Sequence, residues 1–204
     1  MAQTKSKNCR DNSTGLNIRG KMPNVSFLTA IQEFQLTSTQ ISGVMPSWEN
    51  SSSLRKLTMP NNKLTGTFAI KNANVRNLQF QNNDFTAVSV VDCPRAWNLD
   101  LSNNDMVGSI PNLATSPRLS KINFSDNDLS TYQTGSLSTN KYINTLNLSN
   151  NDLFVGSAKR LLEDMQTNYN LRNRGGVTVN LTGNPKITLT LLNADANTKA
   201  IIDF

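Results

Sequence analysis

The 204-residue chain contains no histidine. That absence removes the side chain that most often serves as a general base near neutral pH, and with it the Ser-His-Asp arrangement and most zinc sites. Cysteine is nearly absent as well. Cys9 and Cys93 stand alone, which reads as two reduced structural thiols and not as a disulfide framework. Aromatic residues make up only 6% of the chain, and no aromatic-interleaved basic stretch of the kind that binds single-stranded nucleic acid is present. No apolar run approaches the length of a membrane-spanning helix. The segment Met1 to Arg10 is polar and basic and lacks the apolar centre of a signal peptide. Membrane insertion, classical secretion and a nucleic-acid partner are therefore not expected. Gly175-Gly176 lacks the Lys-Ser/Thr that would complete a phosphate loop. Asp126 and Asp128 flank Asn127 in a turn-forming stretch, where Asp serves local hydrogen bonding. Glu163 and Asp164 follow Lys159 and Arg160 at the helical ion-pair spacing, which predicts surface pairs. Nothing here calls for catalysis, a metal or a cofactor.

What is present is repetition. Ile143, Leu146, Leu148, Asn151 and Leu153 define a frame, apolar-x-x-apolar-x-apolar-x-x-Asn-x-apolar. The frame recurs at Leu54, Leu57, Met59, Asn62, Leu64, and at Val75, Leu78, Phe80, Asn83, Phe85. It recurs again at Ala96, Leu99, Leu101, Asn104, Met106, and at Leu119, Ile122, Phe124, Asn127, Leu129. A degenerate early copy is Ile31, Phe34, Leu36, Thr39, Ile41, and a late one keeps Val179, Leu181 and Asn184. Apolar residues two apart predict a short strand with one buried face. From Asn62 to Asn151 the Asn positions are spaced by about 21 to 24 residues, a period that marks a solenoid. A single copy cannot bury its apolar face, so the copies must stack.

This frame resembles that of the leucine-rich-repeat family, over roughly residues 31–187. Ile41-Ser42-Gly43-Val44-Met45-Pro46 and Met106-Val107-Gly108-Ser109-Ile110-Pro111 are similar to the segment that marks the plant-type class of that family. The resemblance implies a curved α/β solenoid, mostly β, with a parallel concave sheet. It also implies that Asn62, Asn83, Asn104, Asn127, Asn151 and Asn184 point inward and bond the backbone of neighbouring coils. Secreted receptors of the plant type carry paired cysteines in their caps, which this chain lacks. The family's roles are recognition and structure, not reaction.

One interval breaks the rhythm. Asn151 and Asn184 are too far apart for one ordinary coil, and the excess holds Ala158, Leu161, Leu162, Met165 and Tyr169 on one helical face. A helix over Ser157 to Tyr169 is expected on the convex side, with Ser157 as its N-cap. Arg172, Arg174 and Gly175-Gly176 would follow its end. The expected organisation is an N-terminal extension with a capping strand at Leu16-Asn17-Ile18 (residues 1–30), the repeats (31–156), and a helix-containing last repeat with a C-terminal cap (157–204). On that reading the first twelve residues belong to no repeat.

The non-core strand positions form the candidate binding face. Its central row is Asn17, Gln35, Thr58, Gln79, Asp100, Asn123, Asn147 and Asn180, flanked by Arg19, Thr37, Pro60 and Gln81 and their successors. Arg55, Lys56, Arg76 and Trp97 stand at the strand entrances, where Trp97 would offer a stacking platform. The charge is uneven: ten of the twenty cations lie at or before Arg76, against three of the fourteen acids. That pattern predicts a basic N-terminal docking end.

The expected function is a non-enzymatic interaction or structural protein working among protein partners in a larger assembly, with a surface glycan as a further class of ligand. The specific expectation is a virion component, such as a phage tail, baseplate or capsid-surface subunit, made in the host cytoplasm. The missing secretion signal, the scarce cysteine and the Asn-, Ser- and Thr-rich β composition motivate it. The alternative is a cytoplasmic or extracellular protein: a receptor ectodomain or a bacterial effector binding a host protein or glycan.

Overall fold

Alternating apolar and polar residues need a partner layer on one side only, and the chain meets that need by winding. The computed structural model describes residues 8–10, 19–170, 177–187 and 202–203, with side chains over 19–167 and 177–187. In chain order the elements are β1 (Asn8–Arg10), β2 (Gly20–Lys21), β3 (Glu33–Gln35), β4 (Ile41–Val44), β5 (Lys56–Thr58), β6 (Lys63–Lys71), β7 (Asn77–Gln79) and β8 (Asp84–Asp92). They continue as β9 (Asn98–Asp100), β10 (Val107–Ser109), β11 (Lys121–Asn123), β12 (Asp128–Thr131), β13 (Thr145–Asn147), α1 (Val155–Asn170), β14 (Thr178–Asn180) and β15 (Ile202–Asp203).

The odd-numbered strands through β13, followed by β14 and β15, make one nine-stranded parallel sheet. Its register stacks the frame's central apolar residue on its counterpart in each coil. Phe34 lies beside Leu57, Leu57 beside Leu78, Leu78 beside Leu99, then Ile122, Leu146 and Val179. These side chains are buried in one continuous core, with Phe68, Phe80 and Phe85 packed edge to face at its centre. The chain returns through a second, less regular layer: a sheet of β2, β4, β6 and β8, and a separate pair of β10 and β12. The molecule is thus a parallel β-solenoid with leucine-rich-repeat-like coils and, among the described residues, one helix.

The turn out of each ladder strand is made the same way every time. Asn61, Asn82, Asn103, Asp126 and Asn150, each just before a ladder Asn, have φ between 51° and 59°. Asn and Asp are the non-glycine residues that best tolerate this left-handed region. In the last coil Gly183 takes the place, with φ 68°. A Cβ there would lie 2.0 Å from Asn150 Oδ1, so any larger residue would have to displace that exposed side chain.

Three expectations are corrected. The first ladder strand is Asn8–Arg10, which pairs with β3, so the first twelve residues do contribute a coil. The strand expected at Leu16-Asn17-Ile18 lies outside the described residues, and Arg19 directly precedes β2 in the other layer and does not join the binding face. The helix begins at Val155, two residues before Ser157. Ser157 is buried in its first turn and donates its N–H to Phe154 O at 2.9 Å. Asn184 Oδ1 accepts from Leu153 N and Ser130 O from Phe154 N, so the coil is already fixed where the helix starts. The helix buries Ala158, Leu161, Leu162 and Met165 against the core. The side chain of Tyr169, and Arg172, Arg174 and Gly175-Gly176, lie outside the described side chains and residues.

Candidate interaction surface

The buried polar groups come first, because they hold the exposed rows in place. Asn127 is representative. Its Oδ1 accepts from Met106 N at 3.1 Å, and its Nδ2 donates to Leu101 O, Phe124 O and Ser125 O, each at 3.1 Å. Asn62, Asn83, Asn104, Asn151 and Asn184 repeat this pattern, each accepting from backbone N–H of the preceding coil (two for Asn62, from Thr39 and Ile41, and one for the others) and donating to carbonyls of its own and the preceding strand. In the early coil Thr39 stands at the Asn position, and its hydroxyl donates to Asn62 Oδ1 at 2.8 Å. Every ladder amide is buried and bonded at both ends, which is what a buried amide requires.

A second buried polar column was not anticipated. Ser51, Asn72, Cys93, Ser116 and Asn140 each lie at the turn into a ladder strand and are buried. Asn72 Nδ2 donates to Trp48 O and Ser51 O, while its Oδ1 accepts from Asn74 N and Val75 N. Ser116 Oγ donates to Val91 O and accepts from Cys93 N. Asn140 Nδ2 reaches Leu113 O and Ser116 O. The signal was a constant offset before the strand's central apolar residue, hidden because the residue type changes. Burial pushes the Cys93 thiol up to about 12, so it stays a protonated thiol and not a nucleophile. The side chain of Cys9 is outside the described set.

A third buried node corrects the ion-pair expectation for Asp164. Its carboxylate is buried and accepts from Tyr132 Oη at 2.5 Å and Gly135 N at 2.6 Å, tying α1 to the loop before β13. Burial, then the carboxylate beside it, raise the Tyr132 phenol above its ordinary range. Asp126, expected to bond within its own turn, instead accepts from Asn150 Nδ2 of the next coil at 2.7 Å. Among the described residues no three His, Cys, Asp or Glu side chains cluster as a metal site, and no helix is long and apolar enough to cross a membrane.

On these supports the strand residues form parallel rows. Thr58, Gln79, Asp100, Asn123, Asn147 and Asn180 stand in register across the sheet. From Asp100 onward, the side-chain oxygens of this row are occupied locally. Asp100 Oδ1 accepts from Ser102, Asn123 Oδ1 from Ser125 N, Asn147 Oδ1 from Ser149 N and Asn180 Oδ1 from Thr182. The row therefore presents Nδ2 donors outward at Asn123, Asn147 and Asn180. Gln81 is half-buried and its Oε1 is enclosed without a partner.

The entrance row is also brought together. Arg76 N donates to Arg55 O and Trp97 N to Arg76 O, both at 2.9 Å, so Arg55, Arg76 and Trp97 occupy one position in three successive coils. Lys56 lies one residue on, in the row of Asn77, Asn98 and Lys121. Trp97 is 45% exposed, so its ring stands out at the sheet edge and is not folded into the core.

No family model matches the chain, and no curated protein matches it. Among solved structures it is similar to an internalin from Listeria monocytogenes str. 4b F2365, at 15% sequence identity and a TM-score of 0.46. The match covers 89% of this chain and 64% of that one. The assignment of the fold rests on the chain's own strand pairing and turn chemistry.

Proposed function

We propose that this chain is a non-enzymatic recognition scaffold of the leucine-rich-repeat family, with plant-type-like repeats, that docks protein partners. The observation that carries this reading is the in-register surface: rows of Asn donors on the sheet, with Arg55, Arg76 and the exposed Trp97 aligned at its edge. Exposed aromatic and Arg side chains are the usual anchors of protein interfaces. The chemistry inside points the same way, since the buried Cys93, Tyr132 and Asp164 are engaged in packing and structural hydrogen bonds.

The finer reading is a subunit of a virion, such as a tail, baseplate or capsid-surface component. Its support is compositional: the Asn-, Ser- and Thr-rich β architecture, with scarce cysteine and no histidine. Mass spectrometry of particles purified from the source is expected to find the chain at stoichiometric levels; its absence from them removes the virion reading. The scaffold reading has its own test. Cross-linking with mass spectrometry in the native extract should place partner peptides on the Arg55–Trp97 edge, and Trp97→Ala should abolish those links without unfolding the chain. Links confined to the helix side would refute this surface as the docking site.

A further inference from the structure

The exposed charges follow a pattern that runs across the coils, not only along them. The segments leading into five successive ladder strands, residues 51–57, 72–78, 93–99, 116–122 and 140–146, carry seven cations and no carboxylate. The segments leaving those strands, 61–63, 82–84, 103–105, 126–128 and 150–152, carry five aspartates and a single cation, Lys63. All strands run parallel, so the first group lines one rim of the sheet and the second lines the other. One coil earlier the entrance rim has an acid instead, Glu33, which accepts from Gln35 Nε2 at 3.0 Å.

We propose that the chain binds a second copy of itself side by side, entrance rim against exit rim, with the two copies offset by one coil. Both rims belong to the same array, so their charges recur at the same strand spacing of about 4.8 Å. Without an offset, Arg55 and Lys56 of one copy would face Lys63 of the other. With the offset they face Asp84. Arg76 then faces Asp105, Arg95 faces Asp126 and Asp128, and Arg118 and Lys121 face Asp152. The two exceptions fall into place by the same shift, because Glu33 then faces Lys63. A polyanion would use the entrance rim alone and would leave both the aspartate rim and the reversed Glu33–Lys63 position without a role.

Several features set the expected strength. Asp152 is already paired with Lys186 within the chain, so Arg76 with Asp105, both exposed, is the cleaner contact. Trp97 adds apolar surface to the entrance rim. Exposed pairs are individually weak and screened by salt, so the contact depends on the whole row. The two surfaces differ, which makes the contact head-to-tail and able to extend into rings or filaments. This goes beyond the recognition reading and does not depend on it: self-association without any other partner would leave this proposal standing and remove that one.

Sedimentation velocity of the full chain, across protein concentration and at low and high sodium chloride, provides the test, with circular dichroism to confirm folding. The wild type should form species larger than the monomer at low salt that dissociate at high salt. Arg76→Asp should weaken association about tenfold. Adding Asp105→Arg to the same chain should restore it, and adding Asp84→Arg should not. A monomer at every concentration and salt overturns the proposal, as does a wild-type monomer that binds heparin. Association indifferent to Arg76→Asp, or rescued by Asp84→Arg in place of Asp105→Arg, overturns it too.

Discussion

The two ends of each ladder strand solve the same problem differently. At the exit, six coils place Asn at one position, and every one of those amides accepts a backbone N–H of the preceding coil and donates to backbone carbonyls. At the entrance, five coils place Ser51, Asn72, Cys93, Ser116 and Asn140 at one position, all buried but with different partners. The exit turn has a fixed backbone, with a residue in the left-handed region before each ladder position, so one ladder side chain fits all. The entrance closes return arcs of different shape, including nine-residue strands at β6 and β8 and a three-residue strand at β10. There each coil needs its own side chain. Uniform backbone selects uniform sequence; variable backbone selects only size and polarity.

The sharpest way to break the comparison is at the exit. Asn127→Leu keeps the volume roughly but leaves Met106 N–H buried without its acceptor, while Leu101 O, Phe124 O and Ser125 O each keep another donor. The unpaired buried donor costs about 1 to 3 kcal/mol and the three lost Nδ2 bonds add to it, so a loss of about 3 kcal/mol is expected in urea or thermal unfolding. Asn140 at the entrance should be more forgiving. Its Oδ1 has no partner among the described residues, and the two carbonyls it donates to also accept from Ser116 N and Leu119 N, so Asn140→Leu orphans no backbone group. An equal loss at both sites would show that the exit ladder has no privileged role.

The second test uses pH at the entrance column. Cys93 titrates from 9.0 in its ordinary state to about 12 when buried in the fold. Above pH 9 the unfolded thiol loses its proton while the folded one keeps it, so the unfolded state binds fewer protons and stability falls as pH rises. The contribution is intact below pH 9 and is lost progressively up to about 12. By pH 11 this amounts to about 2 to 3 kcal/mol. Cys93→Ala should remove that part of the alkaline slope in chemical denaturation, leaving the part due to tyrosines such as Tyr132. An unchanged slope would mean that the thiol is not enclosed as described.

The same contrast explains what could be read from the sequence. The sheet, the register and the rows of the face were legible, because Leu57, Leu78 and Leu99 recur with the exit Asn at fixed distance. The helix was legible as an excess of residues with an apolar face at Leu161, Leu162 and Met165. Its start was not, because the coil is fixed at Leu153 and Phe154 by bonds from Asn184 and Ser130, partners distant in sequence. Asp164 looked like a surface acid because its spacing to Arg160 is helical, and the burial that decides its role comes from a loop some thirty residues earlier. The entrance column escaped notice since Asn72, Cys93 and Ser116 share a place but no chemistry. The charge rims were overlooked because a count along the chain mixes the two ends of every strand.

The smallest expected effect separates two roles that a pair of adjacent asparagines can hide. Asn103 and Asn104 look alike in the sequence. Asn104 is buried and bonds the core backbone, whereas Asn103 is exposed, holds φ 51°, and donates its Nδ2 to Asn82 Oδ1 at 2.6 Å. Asn82 in turn donates to Asn61, giving an exposed chain of amides one residue ahead of the buried ladder. If the left-handed backbone is what selects Asn103, then Asn103→Ala should cost about 1 kcal/mol, since an ordinary side chain pays that much in this region. Asn103→Gly should cost less, because glycine accepts the dihedral without strain and is destabilising only through its greater loss of chain entropy, roughly 0.5 kcal/mol. Should thermal unfolding show glycine to be as damaging as alanine, the amide chain and not the dihedral would be the reason for asparagine there. The exit turn would then carry two hydrogen-bonded ladders, one on each side of the backbone.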